Sequence, residues 1–183
     1  MKNNSGNNRL FTLETLWTLF FIMCVIGWIY ETVLEVFIYH WGFSNRGALF
    51  GPWLPIYGIG GMLFVSSCYP VLKSKINIMV KLIAVFFITM FIATAVELAA
   101  SYIMEATRGE WLWDYTNYAI NFQGRIALST SIRFGLCGLL GMFIVYPGTG
   151  KLCSKLSGMP LHIISGITVA LFLADMIRHS IVG

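Results

Sequence analysis

The chain has 183 residues, 57% of them hydrophobic and 11% charged, with a formal net charge of +4. Soluble domains carry about 25% charged residues. A chain this apolar cannot cover a water-facing surface, which excludes a soluble domain and leaves an all-α integral membrane protein, a helical bundle of five transmembrane segments.

Each of the five apolar segments reaches the roughly 20 residues that cross a bilayer. Residues 1–12 read as a cytoplasmic tail and 13–183 as a single transmembrane domain. The first span, Leu13–Tyr39, follows Lys2 and Arg9 and has no small-residue cleavage site after it. It therefore reads as a retained signal anchor. Its Glu31 and Glu35 are four apart, hence on one helix face.

The second span, Pro52–Leu72, follows the stretch NRGALFGPWLPIYGIGG, Asn45 to Gly61. Pro52 and Pro55 suit a first helical turn. Gly58, Gly60 and Gly61 permit close helix approach or a broken helix. The third span, Ile78–Met104, spaces Glu97, Ser101 and Glu105 by four.

GEWLWDYTNYAINFQGR is the longest connection. Its Trp111, Trp113, Tyr115, Tyr118 and Phe122 read either as an aromatic belt at headgroup level or as a lid that brings Asp114 to Arg46 or Arg125. The fourth span, Ile126–Tyr146, is read with Arg125, Ser129 and Arg133 at the same spacing of four. The fifth, Pro160–Ile177, carries Asp175, with Arg178 and His179 one turn on.

Lysines set the orientation. With the N-terminus in the cytoplasm, Lys2, Lys73, Lys75, Lys81, Lys151 and Lys155 all face that side, giving an N-in, C-out topology. Glu97 lies eight residues before Glu105, Arg133 eight after Arg125 and Glu31 eight before Tyr39. At 1.5 Å per residue each is about 12 Å below the outer surface. Glu97 is therefore expected to pair with Arg133, with Glu31 as competitor or third member. A lone charge at mid-membrane costs about 2.5–3.5 kcal/mol on insertion scales. Such residues mark a ligand, ion or catalytic site more often than a latch that only fixes helix register.

Spans two and four both begin at the outside, and helix N-termini carry partial positive charge. Arg46 and Arg125 beside them make an anion cradle, or else act as surface anchors. Glu31, Arg46 and Gly47 before span two echo Glu97, Gly124 and Arg125 before span four, as a parallel duplication would.

Named chemistry is missing: there is no GxxxxGK[ST], HExxH or GxSxG. Cys24, Cys68, Cys137 and Cys153 show no CxxC spacing and read as packing residues. No metal or cofactor is expected, since arginines share the carboxylates' level. No basic aromatic surface points to nucleic acid.

GWIYE (Gly27–Glu31), RGALFGPWLPIYGIG (Arg46–Gly60), Glu97 with Glu105, WDYT (Trp113–Thr116) and GRIALSTSIRFG (Gly124–Gly135) together resemble a family of small bacterial membrane proteins labelled Putative ABC-transporter permease, type IV. The resemblance runs from span one to span four. It implies a multi-pass protein of the bacterial cytoplasmic membrane, with Glu31, Arg46, Glu97, Glu105, Asp114 and Arg125 as motif residues. The expected function is a permease-like transport component. Its outer cavity would be lined by those residues and Arg133, and would bind a polar or anionic solute. Glu35, Tyr57, Ser101, Trp113, Tyr115, Ser129 and Asp175 would support it. A separate ATPase subunit would dock on the cytoplasmic loops at Lys73–Lys81 or Gly148–Met159, and an odd number of spans favours an oligomer. The alternative is an enzyme in the outer leaflet, with arginines on a lipid-linked phosphate and Glu97 as general acid or base.

Overall fold

In a computed structural model, residues 12–38, 40, 42–45, 49–111 and 113–182 are described. Among the described residues there are six α-helices: α1 Leu13–Val33, α2 Pro55–Lys73, α3 Ile78–Arg108, α4 Leu128–Leu140, α5 Tyr146–Lys155 and α6 Met159–Val182. π-helical turns at Leu34–Ile38 and Gly141–Val145 extend α1 and join α4 to α5. Two short strands, β1 Asn121–Phe122 and β2 Ile126–Ala127, pair antiparallel with Phe122 opposite Ile126.

Among the described residues five helical segments are long and apolar enough to cross a membrane: Leu13–Ile38, Pro55–Lys73, Ile78–Arg108, Leu128–Lys155 and Met159–Val182. Their surfaces run opposite to those of a soluble protein. Phe91 is 76% exposed and Ile144 62%, whereas Thr89 and Ser101 are fully buried. Lipid tails accept Phe and Ile without penalty, so small and hydroxylated residues are free to line the helix contacts.

Local chemistry sets the helix ends. Thr12 caps α1 by accepting from the Thr15 N–H, and Asn77 caps α3 through the Met79 N–H at 2.8 Å. Gly109 ends α3 with φ of 80°, a conformation that costs glycine little. The stretch 148–159, expected as a loop, is helical as far as Lys155. Pro147 directly follows the π-helical turn Gly141–Val145, where the α-helical ladder is already interrupted, so the continuous helix accommodates a residue with no N–H to donate.

Two compact units divide the chain. One holds α1, the start of α2, α5 and α6; the other holds the rest of α2, α3, the strands and α4. In the first, α1 packs on α5 and α6. Trp17 donates to Thr168 Oγ1 at 2.8 Å, and its ring meets Phe172 edge-on. In the second, α3 and α4 pack closely. A Cβ on Gly138 would overlap Thr89, one on Gly135 would come within 2.6 Å of Phe86, and Thr94 donates to Ser131 Oγ at 2.8 Å.

Candidate functional site

In the second unit the polar residues gather where α3 ends. The chain leaves α3 at Gly109, crosses the aromatic stretch and turns back at Gln123 and Gly124, both with positive φ. A side chain at Gly124 would press on Thr116 and Asp114. The turn carries Arg125 over the last turns of α3. Arg125 Nη2 lies 2.5 Å from Glu105 Oε2, and Nη1 donates to Ser101 Oγ at 3.4 Å. The Tyr102 and Trp111 rings lie 4.2 and 4.1 Å from the guanidinium carbon. A carboxylate and two rings around a cation of 6% exposure offset much of its desolvation.

Arg125 is thus not one of a helical row with Ser129 and Arg133. It precedes α4 and is buried, while Ser129 and Arg133 are exposed on α4. The cause is the β-turn, which the spacing of four does not register. Trp113 fixes the loop further, donating to the Arg125 carbonyl at 2.7 Å. Asp114 does not reach Arg125. Its carboxylate accepts from the Thr116 N–H and hydroxyl at 2.9 and 3.0 Å, a local Asx turn.

Glu97 meets Tyr115 rather than Arg133: Tyr115 donates to Glu97 Oε1 at 2.9 Å. Glu97 Oε2 is buried and has no hydrogen-bond partner among the described residues. The expected Glu97–Arg133 pair is not formed, because Arg133 is exposed on α4, off the stripe Ser131, Gly135 and Gly138 that packs on α3. Near the loop, an open cleft of about 390 Å³ is lined by Gly109, Glu110, Trp111, Trp113 and Asp114.

In the first unit the carboxylates are also engaged. Tyr57 donates to Glu31. Glu35, 4% exposed, accepts from the Ser44 N–H at 3.3 Å and its hydroxyl at 2.5 Å. Asp175, on α6, accepts from the N–H groups of Phe50 and Gly51 at 3.3 and 2.8 Å, and from Trp53 Nε1 at 3.0 Å. Arg178 covers the Phe50 ring at 4.2 Å. The loop before α2 is therefore held by the last helix of the chain. Arg46 lies outside the described residues.

Tyr102, Trp28 and Asn45 were not singled out from sequence. Trp28 donates to Asn45 Oδ1 at 2.7 Å, and Asn45 donates to the Leu49 and Phe50 carbonyls at 3.1 and 2.9 Å. A signal existed only for Tyr102, which precedes Glu105 by three and so shares its helix face.

No curated protein and no solved structure matches the chain. Residues 18–180 match the model of a family described as Putative ABC-transporter type IV. That match covers most of the length, and the chain, a multi-pass membrane protein, belongs to this family.

Proposed function

We propose that the chain is the permease-like component of a transporter in the cytoplasmic membrane, with Glu97 as the group that meets a polar solute. The observation that carries this is Glu97 Oε2, buried in a membrane-spanning helix without a partner among the described residues. Glu105 and Asp114 in the same unit have theirs. A carboxylate oxygen left unpaired in an apolar segment is costly. A hydrogen-bond donor on a solute would satisfy it.

The loop latched by Arg125–Glu105 and Tyr115–Glu97 then acts as a gate. Release of Tyr115 would free Glu97 for the solute or for Arg133, which has no ion pair or hydrogen bond among the described residues. Arg125 is occupied on every side, so an anionic solute would have to use Arg133 or Arg46 instead. Family membership supports a separate ATPase subunit. With the N-terminus inside, it would dock at α5, whose Lys151 and Lys155 are exposed and whose Thr149 and Cys153 are buried.

The test compares cells carrying the wild type with cells carrying Glu97→Gln at equal membrane abundance, by untargeted profiling of solutes inside and outside. A polar solute whose distribution follows the wild type and not the variant is expected. Indistinguishable profiles would end the transport reading, and a chemically altered lipid would replace it with an enzyme.

A further inference from the structure

One constant shift in numbering carries Leu19, Phe20, Met23, Glu31 and Glu35 of the first span onto Val85, Phe86, Thr89, Glu97 and Ser101 of α3. A second constant shift carries Leu54, Gly58, Gly61 and Val65 onto Ser131, Gly135, Gly138 and Met142. Under these shifts two glycine contacts repeat, while Cys24 Sγ, 2.5 Å from a Cβ on Gly58, has no counterpart as close to Gly135. Gly58 faces Phe20 and Gly61 faces Met23; Gly135 faces Phe86 and Gly138 faces Thr89. A Cβ on Gly58 would come within 2.6 Å of the Phe20 ring, and one on Gly135 within 2.6 Å of the Phe86 ring. Burial repeats too: Leu19 with Val85, Met23 with Thr89, Glu35 with Ser101, and all four positions of the second shift are buried in both copies.

Unrelated helix pairs share a spacing of three and four, because that is the helix period. They have no reason to share which residue meets which glycine, nor to place a carboxylate at the same step beyond the contact. The sequence agrees. Tyr57-Gly58-Ile59 with Gly61 matches Phe134-Gly135-Leu136 with Gly138 under the second shift; Arg46, Ala48 and Leu49 match Arg125, Ala127 and Leu128 only with a gap of two residues before Leu54.

We propose that α1–α2 and α3–α4 are two copies of one helical hairpin. Each carries its own carboxylate–phenol site, Glu31 in the first and Glu97 in the second, that accepts a hydrogen-bond-donating group. The copies differ in how the phenol is supplied. Tyr57 on α2 donates to Glu31. Its counterpart, Phe134, has no hydroxyl, and Tyr115 reaches Glu97 from the loop instead. The same contact, rebuilt from a non-equivalent position, marks the contact as what the hairpin needs. This rests on packing register and is independent of the transport reading.

The experiment is a transplanted hydroxyl, read as membrane abundance and as melting temperature of the detergent-solubilised protein. Tyr115→Phe is expected to lower the melting temperature by about 3–8 °C. Adding Phe134→Tyr is expected to recover at least half of that loss, or to restore accumulation if the single variant does not accumulate. With Glu97→Leu also present, Phe134→Tyr should recover nothing. Three results would overturn the proposal: no loss from Tyr115→Phe, no recovery from Phe134→Tyr, or a recovery that persists without the Glu97 carboxylate.

Discussion

Arg125 and Glu105, twenty residues apart in the chain, meet at 2.5 Å across the end of α3. The arginine side is 7% exposed and the carboxylate side 42%, so the pair is anchored from within and open to water on one edge. Arg125→Lys would keep the charge and lose both ring faces and the forked geometry. We expect a loss of about 2 kcal/mol, and about half that for Glu105→Gln, whose partner keeps its rings. Thermal unfolding in detergent measures both. If Arg125→Lys is neutral, the loop is held by Trp113 and Tyr115 alone.

Asp175 presents the same logic in the first unit. Three N–H donors from Phe50, Gly51 and Trp53 converge on one carboxylate that is 9% exposed. Asp175→Ala would strand those donors, at a cost of about 2–4 kcal/mol. Asp175→Asn keeps an acceptor and should lose less. Protease cutting between residues 49 and 53 is the direct readout, with Asp175→Ala cut faster than wild type and Asp175→Asn in between.

The glycines divide into two kinds. Gly58 and Gly138 leave no room for a side chain, whereas nothing lies within 4 Å of a Cβ at Gly60. Gly58→Leu and Gly138→Leu should each sharply reduce membrane abundance, since overpacking costs about 1–3 kcal/mol or more. Gly60→Ala should leave abundance unchanged. Equal abundance in all three variants would mean that the helix pairs are looser than the contacts describe.

Glu97 and Arg133 make no pair, so their removal should not be coupled. Glu97→Gln keeps an oxygen for Tyr115, and Arg133→Gln abandons no partner among the described residues. Both singles should keep near-wild-type abundance. The double variant should show the sum of the two within about 0.5 kcal/mol. A double that recovers what the singles lose would restore the ion pair read from sequence, formed in another state of the protein.

Much of this protein was readable along the chain. Length and hydropathy mark five spans, because the bilayer imposes one requirement, apolar side chains over about 20 residues, and it acts locally. Glu31, Glu97, Asp175 and Arg125 stand out for the same reason: a charge in or beside such a span must be satisfied. The faint echo between the two halves was visible in Glu31, Arg46, Glu97 and Arg125.

The choice of partner was not readable. The eight residues from Arg125 to Arg133 set a common level with Glu97 only if all are helical, whereas α4 begins only at Leu128. With Thr94 on Ser131 and Thr89 on Gly138, Arg133 sits nearer the level of Thr94 than of Glu97, and a hydrogen bond is lost within a few tenths of an ångström. Tyr115 reaches Glu97 because Gln123 and Gly124 adopt positive φ and fold the loop back; Asp175 reaches Gly51 because α6 packs beside α1. Both depend on backbone turns and helix packing over long separations, which only the folded chain decides.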